Sequence, residues 1–234
     1  MPKTKIIQRM FDGIAPEYDR FNHIASLGVD RIWRKKALKE IVEAEKVQQI
    51  LDAACGTGDF SIAIARKINP ESHIIGVDLS EGMLSVMREK ISRDRLGPLV
   101  SCEQGDCSSM RFADSSFDRV TIAFGVRNME DRQKALKEIL RVLKKGGKLV
   151  ILELSVPSNP LISWFYKIYF TKFTPHLGEM LSSDKDAYRY LPASVLSFPG
   201  AKEWMATMSA CGYEQVRHRP FTFGICRMYV ATKP

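Results

Sequence analysis

Two glycines one residue apart sit between an apolar run and a helical pattern in Ile50-Leu51-Asp52-Ala53-Ala54-Cys55-Gly56-Thr57-Gly58-Asp59-Phe60. That order is the sequence form of a strand, a tight turn and a helix start. Glycine accepts positive φ and lets a ligand approach the backbone with no Cβ in the way. Asp52 ends the strand, and Asp59 falls in the first helical turn. Asp78 lies 20 residues beyond Gly58, after a second apolar run, His73-Ile74-Ile75-Gly76-Val77. An acid at that place in a nucleotide-binding α/β fold accepts hydrogen bonds from ribose hydroxyls. A dinucleotide is a poor match. Its fingerprint has a third glycine, where this chain has Ser61, and holds pyrophosphate on a helix N-terminus. Asp52 and Asp59 would repel phosphate. They suit a cationic nucleoside with an amino group and a sulfonium, which describes S-adenosyl-L-methionine. A lone Gly-x-Gly is weak evidence; the preceding strand, the acidic loop and the spacing to Asp78 carry the reading.

The elements that must position this loop follow from periodicity. Apolar runs predict strands over Gln49–Ala54, His73–Val77, Leu99–Glu103, Phe117–Ala123 and Gly147–Leu154. Helices are predicted over Phe60–Ile68, Glu81–Arg95 and Asp131–Leu143. Such alternation implies an α/β fold with a parallel sheet covered on both faces. Ser80 suits the N-cap of the second helix. Lys144-Lys145-Gly146-Gly147 reads as the end of the third, with cations at the negative dipole end and then a glycine turn. Residues 1–46 read as a helical cap or lid, with Trp33, Ala37, Leu38 and Ile41 on one face and Arg34, Lys35, Lys36 and Lys39 on the other. Residues 47–155 form the expected cofactor-binding core of a single domain. Residues 156–200 read as a substrate-side insertion. There the aromatic stretch Leu161 to Phe170 suits a greasy cover, an interfacial helix or a buried one. Residues 201–234 read as a closing helix and a hairpin, Tyr213–Arg219 and Ile225–Thr232, turning at Pro220 to Gly224.

The composition of this 234-residue chain is that of an ordinary soluble globular protein, 45% hydrophobic and 26% charged. No apolar run is long enough to cross a bilayer, and no secretion signal is visible. Five cysteines form no CxxC pair and no His/Cys cluster. That favours a reducing cytoplasm and no metal site. The net charge of +8 is uneven: +3 over residues 1–46, +1 over 47–155 and +4 over 156–234. Basic flanks suit an anionic membrane surface or RNA, and equally a solvated surface.

Several stretches narrow the reading. Phe11-Asp12-Gly13-Ile14-Ala15-Pro16-Glu17-Tyr18-Asp19-Arg20-Phe21-Asn22, Leu27-Gly28-Val29-Asp30-Arg31-Ile32-Trp33-Arg34, Phe124-Gly125-Val126-Arg127-Asn128 and Asp186-Ala187-Tyr188-Arg189-Tyr190-Leu191 resemble the signatures of the ubiquinone/menaquinone biosynthesis C-methyltransferases. These are class I S-adenosylmethionine-dependent methyltransferases. The resemblance runs from about Phe11 to the end. It implies a Rossmann-like, seven-stranded, mostly parallel sheet whose last strand is antiparallel. It implies cofactor contacts at Thr57, at Asp78 on the ribose and at Asp106-Cys107 near the adenine, where relatives often carry an Asn-Ala-type pair. Gly56, Gly58, Asp52, Leu79 and Phe124 complete the expected cofactor set. The implied substrate is a polyprenylated quinol methylated on ring carbon. Demethylmenaquinol is the preferred reading, and a methoxy-benzoquinol of ubiquinone biosynthesis is the alternative. An RNA methyltransferase is a more distant rival, because no basic run interleaved with aromatics is present. The expected partners are therefore the quinol and, transiently, a membrane surface at the cytoplasmic side, without nucleic acid. A homodimer is also compatible.

Methyl transfer to carbon needs an electron-rich ring, so the reduced quinol must react. A phenol ionises near pH 10, and the site must promote that ionisation. Arg127, after the fourth strand, is the first candidate, acting directly or through a water. Asn128 would orient that water or the ring oxygen, and Tyr18 in the lid is the third catalytic candidate. His23 and His176 are alternative bases, and Tyr188, Arg189 and Tyr190 suit the substrate pocket wall.

Overall fold

The computed structural model describes residues 3–173 and 185–234. Its centre is a seven-stranded sheet in the order β3-β2-β1-β4-β5-β7-β6. The strands are β1 (Gln49–Ala53), β2 (His73–Asp78), β3 (Val100–Gln104), β4 (Phe117–Ala123), β5 (Leu143–Leu154), β6 (Glu214–Phe221) and β7 (Cys226–Thr232). The first five pair in parallel, while β7 runs antiparallel between β5 and β6. The helices are α1 (Lys3–Ile14), α2 (Tyr18–Ala25), α3 (Val29–Ile41), α4 (Asp59–Ala65), α5 (Glu81–Arg93), α6 (Arg132–Val142), α7 (Pro160–Ile168), α8 (Lys185–Leu196) and α9 (Ala201–Ala210).

Strand periodicity splits the interior into two cores. Leu51, Val120, Ile122, Leu149, Ile151 and Tyr229 face α6 and α9, where Leu136, Ile139, Trp204 and Met208 meet them. Their neighbours Ile50, Ile74, Val150, Leu152, Met228 and Val230 face α3, α4 and α5. Side chains buried on both sheet faces give the near-continuous apolar runs seen in the sequence. The N-caps are also local chemistry: Ser80 accepts from the Met83 N–H at 3.1 Å, and Asp131 from the Lys134 N–H at 2.9 Å.

One segment departs from expectation. Lys144 to Gly147 do not form a separate turn ahead of β5. The chain is already extended at Leu143, which pairs with Phe117, and the register then jumps so that Arg119 faces Lys148. The residues between form a bulge. Gly146 there has φ of 73° and donates to the Lys233 carbonyl at 2.9 Å, while Lys144 Nζ reaches both oxygens of Asp118 at 2.9 Å.

Strand β1 pairs with β2 on one side and β4 on the other, so the order of chain build-up reverses between β1 and β4. Ligands bind at the carboxyl end of such a switch point. Here two turns approach each other. A Cβ added at Gly125, after β4, would come within 2.7 Å of the Ala54 Cβ, after β1. Ala54 and Phe124 both hold left-handed φ, 55° and 62°. Both turns that form the crevice thus carry a strained non-glycine residue.

Gly58 serves the fold. With φ of +79°, a Cβ there would lie 2.5 Å from the Met87 Cγ. Gly58→Ala is expected to cost about 1–3 kcal/mol in chemical denaturation. Met87→Ala in the same chain should show opposite-sign coupling; additive effects would mean the contact is not the cause.

Candidate functional site

A cavity of about 570 Å³ opens at the carboxyl ends of β1, β2 and β4. Asp52, Gly56, Thr57, Asp78, Leu79, Asp106, Cys107 and Phe124, all expected at a cofactor site, line it. Gly58 stands behind the loop against Met87. Gly56, at φ of +55°, has nothing within 4 Å of where its Cβ would be, so the backbone is open to the cavity. Asp52 is fully buried. One of its oxygens accepts from the Ser61 hydroxyl at 2.5 Å; the other, Oδ1, has no partner. Burial pushes the Asp52 carboxyl up to about 7, with Ser61 and Arg34 opposing. Asp78 accepts from the backbone N–H of Gly56 at 2.8 Å and of Ser80 at 2.9 Å, which ties the loop to β2, and burial raises its pKa. Burial also pushes the Cys107 thiol up to about 12, so its sulfur is neutral. The donor set fits S-adenosylmethionine: an unsatisfied carboxylate oxygen for the ammonium, an open glycine and an acid for the ribose.

The N-terminal helices close this cavity. Thr4, Ile7, Gln8 and Phe11 of α1 and Tyr18 of α2 line it. Asp12 accepts from the Ser80 hydroxyl at 2.6 Å and the Gly82 N–H at 3.0 Å, adding a second cap to α5. Asp19 accepts from the Thr57 hydroxyl at 2.6 Å and pairs with Lys90 at 2.5 Å. The Thr4 hydroxyl donates to Glu130. Cover and packing are therefore one device. Asp59, expected to add negative charge around the loop, lines the cavity and is paired with Lys90 at 2.6 Å, with His23 at 3.5 Å. His23 also meets Asp30 at 2.9 Å and lines neither this cavity nor the next, so it ties α2 to α3.

A second, mostly apolar cavity of about 230 Å³ lies beside the first. Tyr18, Arg34 and Phe124 line both. Arg127 lines the second only. It is buried, with Nη1 donating to Glu153 Oε1 at 2.8 Å and to the Phe124 carbonyl, and Nε to Ser194 Oγ at 3.3 Å. Its backbone N–H also donates to Glu153, at 3.0 Å. Burial alone would lower the guanidinium pKa; Glu153 together with Tyr18 and Tyr190 raises it above its ordinary value, so the group stays charged. Asn128 lines the larger cavity, and its Oδ1 accepts from Tyr190 at 3.2 Å, so the amide N–H₂ is left to face a ligand. The two adjacent residues thus serve different cavities. Burial raises the Tyr18 hydroxyl pKa, with Arg127 and a hydrogen bond to Asn22 pulling it back.

Three participants are invisible to sequence pattern. Glu153 is a fully buried carboxylate at the end of an apolar strand. Ser194 braces Arg127 from α8. Arg34 was expected on the solvent face of α3. Its side chain instead lies under Phe124, 5.3 Å from the ring centroid, and bonds Asp30. The aromatic stretch forms α7 and a one-turn π-helix, Tyr169–Phe173. Tyr166, Tyr169 and Phe170 line the second cavity, and Tyr169 donates to the Ala25 carbonyl at 2.9 Å. His176, and the side chains of Tyr188 and Arg189, lie outside the described residues. No group of His, Cys, Asp and Glu among those residues could hold a metal ion.

Asp52 should mark the pH dependence of stability. Its folded pKa, about 7, exceeds the unfolded carboxylate value near 4. The unfolded chain therefore releases its proton first, and the contribution of the neutral carboxyl to stability is lost as pH rises from about 4 to about 7. Asp52→Asn should flatten that decline in denaturation curves; an unchanged slope would assign the decline elsewhere. Glu153→Gln leaves the guanidinium without its counter-charge and is expected to cost about 3–5 kcal/mol. A loss under 1 kcal/mol would mean that the buried pair does not hold Arg127 in place.

Comparison with known proteins agrees with this geometry. The ubiE/COQ5 methyltransferase family model matches residues 1–233. The demethylmenaquinone methyltransferase of Bacteroides fragilis is 46% identical over 231 residues, covering 99% of this chain and 94% of the relative. The ubiquinone/menaquinone biosynthesis C-methyltransferase UbiE of Geobacter sulfurreducens is 44% identical, covering 99% and 90%. Among solved structures, a SAM-dependent methyltransferase of Thermotoga maritima, described as a possible histamine N-methyltransferase, superposes with a TM-score of 0.67 at 19% identity. It covers 97% of this chain and 99% of its own, and shares the fold. The chain belongs to the ubiE/COQ5 methyltransferase family.

Proposed function

We propose that this protein transfers a methyl group from S-adenosyl-L-methionine to a ring carbon of a polyprenylated quinol, with demethylmenaquinol as the substrate. The observation that carries the reading is the shared wall: an acidic cavity and an apolar cavity containing a buried arginine have Tyr18, Arg34 and Phe124 in common. The name of the Bacteroides fragilis relative supports the naphthoquinol over the benzoquinol ring.

S-adenosylmethionine supplies an electrophilic methyl on a sulfonium. The chain's task is to orient it and to make the ring carbon nucleophilic. A quinol hydroxyl with a pKa near 10 needs about 4 kcal/mol to ionise at neutral pH. A guanidinium about 4 Å from the forming phenolate provides about that much at an effective dielectric of 20. Glu153 offsets part of it, and alignment of the ring with the methyl lowers the barrier further. Arg127 stabilises the phenolate, Tyr18 and Asn128 position the ring and the methyl donor across the shared wall, and Asp52 holds the donor's ammonium. The methylated ring carbon then passes its proton to water and the ring becomes aromatic again. The prenyl tail keeps the substrate in lipid, so the protein works at the cytoplasmic surface of a membrane. No helix among the described residues is long and apolar enough to cross one. A second copy of the chain is the other candidate partner.

Labelled S-adenosylmethionine offered with demethylmenaquinol, its oxidised quinone, a demethylated benzoquinol and bulk RNA tests the assignment. Label is expected on the reduced naphthoquinol; label on RNA alone would overturn it. Arg127→Lys, and the neutral pair Arg127→Gln with Glu153→Gln, should keep cofactor affinity and lose about 100-fold or more in kcat at pH 7. The loss should shrink toward pH 10 as the quinol ionises unaided. A pH-independent loss would remove Arg127 from phenolate stabilisation.

A further inference from the structure

Three segments far apart in sequence meet around the apolar cavity: the α2–α3 turn, α7 and the hairpin turn before β7. Leu27 and Val29, Tyr166, Tyr169 and Phe170, and Thr222 with Ile225 supply its walls. The Trp33 indole N–H donates to the Thr222 hydroxyl at 2.9 Å, and Tyr169 donates to the Ala25 carbonyl, so the three are braced together. Their outward side chains are apolar. Leu27 is 83% exposed, Phe223 78%, Phe165 59% and Trp164 57%. Trp164 and Phe165 pack edge to face, with centroids 4.8 Å apart. Leu161 and Ile168 extend the same helix's exposed set.

The two most exposed tips are also strained. Leu27 has φ of 52° and Phe223 of 57°, a region that large side chains rarely enter. Asn or Gly would relieve the strain and remove apolar surface from water at the same positions. Fold stability gives no reason for a leucine and a phenylalanine at these sites, whereas an apolar partner does.

Charge identifies the partner. The chain has no Asp or Glu from Ser155 to Phe173, nor from Gln215 to Pro234. Lys36 and Arg219 lie 5.2 and 5.8 Å from the Phe221 ring beside the hairpin turn, and Lys167 is exposed on α7. The nearby acids are committed, Asp19 to Lys90 and Asp30 to Arg34. An isologous contact with a second copy would set these cations against their own images. An anionic lipid surface would neutralise them while taking up the apolar tips.

We infer that Leu27, Trp164, Phe165 and Phe223, ringed by Lys36, Lys167 and Arg219, form a docking face that seats the mouth of the apolar cavity on an anionic bilayer. The inference builds on the prenyl-quinol reading, because a tail passing from bilayer to cavity would then never cross water.

The test is flotation of the full-length protein, without substrate, on phosphatidylcholine vesicles with and without phosphatidylglycerol. The unmodified chain is expected to float with the anionic vesicles, more weakly at high salt. Trp164→Ser with Phe165→Ser and Phe223→Asn should reduce its partition about tenfold or more. That variant spares every residue assigned to the two cavities, so its methyl transfer to a tail-less quinol in solution should stay unchanged. Its transfer to prenylated quinol in vesicles should fall with partition. Equal flotation of the variant and the unmodified chain would overturn the inference. So would absence of flotation by the unmodified chain, or light scattering that shows the substitutions only breaking a dimer. Flotation without methylation of any quinol would leave the docking face standing and sink the substrate assignment.

Discussion

A guanidinium buried beside an apolar cavity is the constraint around which the site is arranged. Arg127 is too expensive to bury without a counter-charge and a full set of acceptors. Sheet register supplies both. Ala123 pairs with Leu152, and the Phe124 N–H donates to the Leu152 carbonyl, so Glu153 arrives beside the turn that carries Arg127. The same turn offers its own Phe124 carbonyl to Nη1. The positive φ of Phe124 bends β4 into this turn and also presents the ring to Trp33, 6.1 Å away. One strained residue thus accepts the arginine, walls both cavities and anchors α3.

That arrangement makes the N-terminal arm part of the walls of both cavities. Tyr18 reaches the arginine cavity only because α1 and α2 are tied down at Ser80, Gly82, Thr57 and Lys90. Most of these bonds end on the glycine loop and on the N-terminus of α5, close to the cofactor positions. Several neutral and charge-assisted hydrogen bonds of about 1–3 kcal/mol each hold the arm. Ile7, Phe11 and Tyr18 stand along one side of the larger cavity, so its width on that side depends on these bonds. Local opening of the arm, rather than of the sheet, is the motion the fold permits at least cost.

What the sequence displayed was whatever depends on neighbours along the chain. The apolar runs, Ser80 as a cap, the Asp52 to Gly58 turn and the distance to Asp78 all have local signatures, and each has its counterpart in the structure. Arg34 was assigned to the wrong face because it stands beside Lys35 and Lys36, and helical periodicity locates a stripe only to within a residue. Glu153 in Val150-Ile151-Leu152-Glu153-Leu154 looks like a strand-end charge; only register against β4 reveals its partner. Phe165 and Tyr169 are four apart, which on one continuous helix puts them on the same side. Tyr169 lies in the π-turn and reaches the cavity wall, and Phe165 faces outward. Spacing along a helix does not say which side the rest of the chain will cover.

The division of labour between the cavities explains why the cofactor was easier to read than the substrate. The expected cofactor residues that line the acidic cavity lie mostly in one βαβ passage and the strand after it, nearly contiguous in sequence. The apolar cavity draws on six separate stretches: α2–α3, the turn after β4, the end of β5, α7 with the π-turn after it, α8 and the last hairpin. Outside α2–α3 each stretch contributes one to three side chains of ordinary type, and their chemistry exists only in combination. Substrate choice in such a fold is set by what is laid over the carboxyl ends of the strands. Here that is a charged group under an apolar chamber whose rim is itself apolar and basic. A flat aromatic alcohol carrying a lipid tail satisfies all three conditions, whereas a hydrophilic acceptor would leave the chamber and its rim without a role.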